Sequence, residues 1–148
     1  MTGEKMATYE NKLKMQYLMR YLDAKRRAKA ILDEIRNLED LATKVTVTFN
    51  DMPGGGGADD QLGAIVSHII DLKADMVTQA KTMKAEQQIV QAVIDAVDDP
   101  DQRHLLRLRY INGYKWERVA VEMNYSFRHT LRIHGAALAA VRIPGIVS

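Results

Sequence analysis

The chain has 148 residues, 47% of them hydrophobic and 27% charged, and no cysteine; this leaves room for one compact domain or two small units and excludes disulfides, thiolate metal sites and cysteine nucleophiles. No apolar run nears the roughly 18 residues of a membrane span, and the first ten residues, with Glu4, Lys5 and Glu10, lack the apolar stretch of a secretory signal, so a cytoplasmic protein with no membrane partner is expected. The net charge of +2 hides an asymmetry: residues 101–148 carry eight Lys/Arg against three acids, whereas residues 1–100 carry thirteen against sixteen, and a basic C-terminal third points to a polyanion site there.

From about Tyr9 to Val45 the apolar residues recur at alternating steps of four and three: Tyr17, Tyr21, Ala24, Ala28, Ile31, Ile35, Leu38, Ala42 and Val45. That heptad seam, uninterrupted by Gly or Pro, predicts one long amphipathic helix with partners along one face. Thr46-Val47-Thr48-Phe49 switches to alternation, and Met52-Pro53 followed by glycines 54–57 should stop the helix and turn the chain. After Asp59-Asp60 the period returns in Leu62, Ile65, Ile69, Leu72, Met76, Met83, Val90, Val93 and Val97. Two long helices joined by a loop of about fifteen residues read as an antiparallel hairpin.

Asp98-Asp99-Pro100-Asp101-Gln102 is a helix start, with Asp99 as cap and Pro100 at the first helical position. The helix runs through Leu105, Leu106, Leu108 and Tyr110 to Asn112-Gly113, where glycine supplies the left-handed residue that ends it. The expected domains are therefore a hairpin over 1–98, for oligomerisation or partner docking, and a DNA-binding unit over 99–148.

In Trp116–Ile133 the pattern fits two helices crossing at a sharp angle. Val119, Met123, Tyr125 and Ile133 read as core, Ala120 lets the second helix come close, Asn124 takes the left-handed turn position and Ser126 caps the second helix. Together they spell a helix-turn-helix, in which Lys115 offers the first helix no side-chain acceptor. With Thr130, Ile133 and Ala137 inward, helical geometry turns Arg128, Leu131, Arg132 and Gly135 outward, as a face for the major groove: arginine can pair bidentately with guanine, Leu131 can touch a thymine methyl, and glycine permits close approach. Lys115, Arg118 and His129 would lie nearer the phosphates. Ser126 and Phe127, at the helix start, complete the candidate set; Phe127, like Trp116, is a candidate both for base stacking and for a packing staple. The competing interpretation is a helical bundle with ordinary surface arginines.

The stretch LLRLRYINGYKWERVAVEMNYSFRHTLRIHGAALAAV resembles region 4 of the sigma-70 class of RNA polymerase sigma factors. The likeness lies in the Leu-Arg-Leu-Arg-Tyr helix, the Trp-Glu-Arg-Val-Ala helix, the Met-Asn-Tyr-Ser turn and the Ala-Leu ending. With the N-terminal helices and the Asp51-Met52-Pro53 glycine loop, the full chain resembles small prophage-borne proteins with such a C-terminus, related to phage late-gene regulators. The resemblance implies promoter-associated double-stranded DNA binding and RNA polymerase as a candidate partner. Nothing in the chain resembles the sigma region that melts the −10 element, so the resemblance implies a transcriptional regulator rather than a complete sigma factor.

Other chemistry finds little support. His68, His104, His129 and His134 lack metal-ligand spacing and read as surface or DNA-proximal residues, glycines 54–57 lack the Lys-Ser/Thr ending of a phosphate loop, and methionines such as Met15, Met19, Met76 and Met83 are helix-core filler. With no Ser/His/Asp or paired-carboxylate arrangement, a non-enzyme without metal or cofactor is expected. The fold expected is all-α, acting as a homodimer or higher oligomer through the N-terminal helices. The rival functions are protein docking by the hairpin and a small-terminase-like subunit of a phage packaging machine.

Overall fold

A computed structural model of the chain describes residues 3–50 and 57–145. Six helices are found there and no strand: α1 (Gly3–Leu18), α2 (Arg20–Asn50), α3 (Gly57–Asp95), α4 (Pro100–Tyr110), α5 (Trp116–Met123) and α6 (Phe127–Ala140), so the protein is all-α as expected. None of the described helices is long and apolar enough to cross a membrane.

α1 and α2 together occupy the expected single helix. The hydrogen bonds Met19 N to Met15 O (3.0 Å) and Asp23 N to Met19 O (2.8 Å) carry the helical ladder past Met19, which is the only residue between the two elements. α2 continues through Thr46 and Val47 to Asn50, beyond the stop anticipated at Thr46. The alternating pattern misleads because threonine hydroxyls find acceptors inside a helix: Thr43 Oγ1 donates to Glu39 O (3.0 Å) and Thr46 Oγ1 to Ala42 O (2.9 Å). Gly57 in turn already belongs to α3, whose first turn carries Asp59 and Asp60, acids that favour a helix N-terminus. Only residues 51–56 separate α2 from α3; the expected Met52-Pro53-glycine turn, apart from Gly57, lies outside the described residues.

The chain forms two compact units. Lys25–Met83 is one; the described residues up to Ala24 together with those from Lys84 onward form the other. Compactness therefore divides the chain within its two long helices, whereas the heptad pattern, continuous through both, gave no reason to cut before 98/99.

In the hairpin unit α2 and α3 meet along Ile35, Ile65, Ile69 and Leu72, flanked by half-buried Ile31, Leu38, Ala42 and Val45. A six-residue connection reaches about 20 Å when fully extended, too little to return along a 26-residue helical arm of about 39 Å, so the helices run antiparallel. Glu34 faces His68 at 3.6 Å and Glu39 faces Lys73 at 3.7 Å across the seam.

The second unit packs α4, α5 and α6 against one another and lays α1 on α6. Leu18, Val90, Ile94, Leu105, Leu106, Tyr110, Val119 and Val141 are its largest fully buried apolar side chains. Asp99 starts α4 by accepting from Gln102 N at 3.0 Å, ahead of Pro100. Gly113 ends that segment at φ +74°, with Leu22 Cδ2 only 3.3 Å from where a Cβ would stand, so both backbone conformation and space call for glycine. Arg107 holds Asp95 at 2.6 Å, and Arg103 donates to the carbonyls of Val97 and Asp98 (2.7 and 2.8 Å); these bonds fix α4 to the end of α3.

Candidate nucleic-acid interface

α5 and α6 are joined by a three-residue turn in which Asn124 sits at φ 59°, ψ 40°, the only non-glycine with positive φ among the described residues. Around it, Tyr125 N bonds to Ala120 O and Asn124 N to Val121 O, both at 3.1 Å, the paired pattern that closes a helix on a left-handed residue. Ser126 Oγ then accepts from His129 N at 3.1 Å and starts α6, while its carbonyl accepts from Thr130 Oγ1 at 2.8 Å. Lys115, at the cap of α5, makes no side-chain cap bond. Asparagine and serine were legible in these roles because each acts on its own neighbours.

α6 has two distinct faces. Thr130, His134, Ala137 and Leu138 are buried; Ser126, Phe127, Arg128, His129, Leu131 and Arg132 are all exposed. Arg128, Leu131 and Arg132 share the outward side, and among the described residues neither arginine is paired with an acid. Gly135 is half-buried, with nothing within 4 Å of a Cβ placed there, so packing inside the chain does not demand its missing side chain.

The flanking candidates are less free. Arg118 lies over the Tyr114 ring at 3.7 Å and within 4.0 Å of Glu122, contacts that give a cation a partial counter-charge already. His129 stands edge-on to Tyr125, ring centroids 4.7 Å apart. Tyr125 itself is exposed rather than core, and its hydroxyl donates to Asp101 Oδ2 at 3.0 Å; an amphipathic residue on a short turn can turn either way, and here an acid on α4 supplies the partner. Met123 and Ile133, also expected in the core, are half-buried.

Beneath the exposed face lies a buried polar cluster. His134, expected at the surface, is 8% exposed; its Nε2 is 2.7 Å from Tyr110 Oη, and Trp116 lies against it with ring centroids 4.4 Å apart. Burial lowers the His134 pKa to about 4, with Arg109 adding to the effect, and raises that of Tyr110 to about 12. Near neutral pH the ring is therefore uncharged, and it shares a hydrogen bond with a phenol that keeps its proton. Arg109 extends the cluster, with its guanidinium 4.7 Å from the Trp116 ring centroid and Nη1 donating to Tyr114 O at 2.9 Å. In this way α4, α5, α6 and the 111–115 bend are locked behind the outward arginines.

A second buried group is absent from the sequence-based expectations. Lys14, 3% exposed, donates from Nζ to Leu138 O at 2.9 Å and Ala139 O at 3.5 Å, satisfying carbonyls at the C-terminal, partially negative end of α6. Lys14 falls one step before Tyr17 on the α1–α2 heptad seam, and a charged residue on an apolar seam was the available sign.

Fold and surface together define an all-α protein whose C-terminal unit is a helix-turn-helix backed by α1 and α4. The chain belongs to a protein family of unknown function (DUF1492), whose sequence profile matches residues 45–141. No curated protein and no solved structure matches the chain.

Proposed function

We propose that this protein is a non-enzymatic, sequence-specific double-stranded DNA-binding regulator that acts at promoters through α6, with RNA polymerase as a second partner. The observation that carries this reading is the division of α6: one face anchored by Thr130, His134, Ala137 and Leu138, the other presenting Arg128, Leu131 and Arg132 without acid partners among the described residues. A recognition helix must be held rigidly while its arginines remain free for base edges. Each bidentate arginine–guanine pair discriminates by about 1–3 kcal/mol. Lys115, exposed at the start of α5, and Arg118 supply phosphate contacts, which set register and salt dependence.

The test is selection from a random duplex-DNA library at near-physiological salt, comparing the parent with Arg128→Ala/Arg132→Ala. The parent should enrich a motif, and the double variant, equally stable, should lose it. Identical motifs from both would sink the assignment.

A competing reading, protein docking through the same unit, draws on exposed Val121 (77%), Phe127 (47%) and Leu131 (40%), since apolar side chains at a surface can mark a partner site. It predicts no enrichment with naked DNA and binding that responds to Val121→Ser rather than to the arginines.

A further inference from the structure

α3 carries a second stripe besides its core seam. Val66, Ile70 and Val77 are 43%, 61% and 58% exposed, and at about 100° per residue they align with Asp59, Lys73 and Lys84 along the middle and with Leu62, Gly63, Ala80 and Lys81 along the edges. The stripe lies roughly a quarter-turn round the helix from Ile65, Ile69 and Leu72. Three large aliphatic side chains on one face of a two-helix hairpin are more than solvation calls for, and what surrounds them specifies the occupant.

Down its middle the order is acid, valine, isoleucine, lysine, valine, base, with Leu62 and Gly63 at the edges near one end and Ala80 and Lys81 at the edges near the other. Set against a second copy running in the opposite direction, Asp59 meets Lys84, Gly63 meets Ala80, Val66 meets Val77 and Ile70 meets Lys73. One register thus matches charge with opposite charge at both ends, sets Gly63 against Ala80 and Leu62 against the stem of Lys81 along the edges, and places Val66, Ile70 and Val77 in the middle. Neither Asp59 nor Lys84 holds an ion pair within the chain among the described residues, whereas Lys73, the one charge near the centre, is 3.7 Å from Glu39 and brings its counter-charge with it. Pairing that is reciprocal in this way is the property of an isologous two-fold contact.

We infer that the protein forms an antiparallel homodimer through α3, with Val66 and Ile70 of each copy packed on Val77 and Lys73 of the other and Asp59 paired with Lys84 at either end. This names the face and register of self-association; it does not depend on the DNA-binding reading and is tested without nucleic acid.

Sedimentation velocity on the full chain over a wide concentration series should show a monomer–dimer equilibrium. Ile70→Asp should raise the dissociation constant at least tenfold while circular dichroism stays that of the parent, because Ile70 is exposed in the single chain. Since the chain contains no cysteine, the register can be read by oxidation: a mixture of Val66→Cys and Val77→Cys chains should yield the mixed disulfide dimer in preference to either self-linked species. A monomer at every concentration, an unaffected Ile70→Asp dimer, or preferential Val66→Cys self-linkage would each overturn the proposal.

Discussion

The two compact units are built from the same kind of helix but held together differently. In the hairpin, four buried aliphatic residues form the centre, with half-buried neighbours and the exposed Glu39–Lys73 ion pair around them; such a pair contributes at most about 1 kcal/mol. In the C-terminal unit, polar groups are buried and satisfied: Lys14 on two α6 carbonyls, His134 on Tyr110, Thr130 on Ser126. Simple aliphatic packing tolerates change and sliding; a satisfied polar core fixes one arrangement. On the proposed DNA-binding reading, the second property is what lets Arg128 and Arg132 meet fixed atoms.

The sharpest test of this contrast is truncation in each core. Leu106→Ala, at a site 0% exposed, should cost about 3–5 kcal/mol, whereas Ile69→Ala in the hairpin, where the seam can close over the gap, should stay near 2 kcal/mol. Urea unfolding gives both numbers, and equal costs would break the distinction.

Acid should then separate the units. His134 has a folded pKa of about 4 against 6.5 when unfolded, so the folded state binds fewer protons between those values. Its stabilising contribution is complete above about pH 6.5 and declines as pH falls, by up to about 3 kcal/mol at pH 4. Melting followed by near-ultraviolet circular dichroism, which reports Trp116 and Tyr110, should weaken over that window, and His134→Gln should flatten the dependence. A parent insensitive to pH between 6.5 and 4 would count against the buried neutral ring.

The smallest effect lies at Gly135. Open space around its Cβ position means that Gly135→Ala should stabilise α6 by about 1 kcal/mol. If that face enters a groove, the same methyl should weaken DNA binding. Gains in both stability and affinity would place the contact elsewhere on α6.

Legibility in the sequence divides along the same line. Asp99, Gly113, Asn124 and Ser126 act within a few residues of themselves, so type and position sufficed, and heptad spacing gave the hairpin seam. The end of α2 was missed because a threonine's preference for strands says nothing of the carbonyl it can reach in a helix. His134 and Lys14 were missed for a different reason: their partners are 24 and 124 residues away, and no local pattern encodes a contact at that range. On α6, the outward set was readable from periodicity; the engagement of Arg118 with Tyr114 and of Tyr125 with Asp101 was not.

The bond from Lys14 to Leu138 sets an order of events for a newly made chain. α1 leaves the ribosome before the helix it caps, which lies 124 residues later, and at typical synthesis rates this means a wait of roughly 6 to 25 s. During that interval the hairpin can form from local contacts alone, while α1 carries an apolar seam with no α6 to cover it. The α1 segment is thus a latch thrown last, and the unit that holds α4, α5 and α6 becomes complete only when α1 and α6 have both been made.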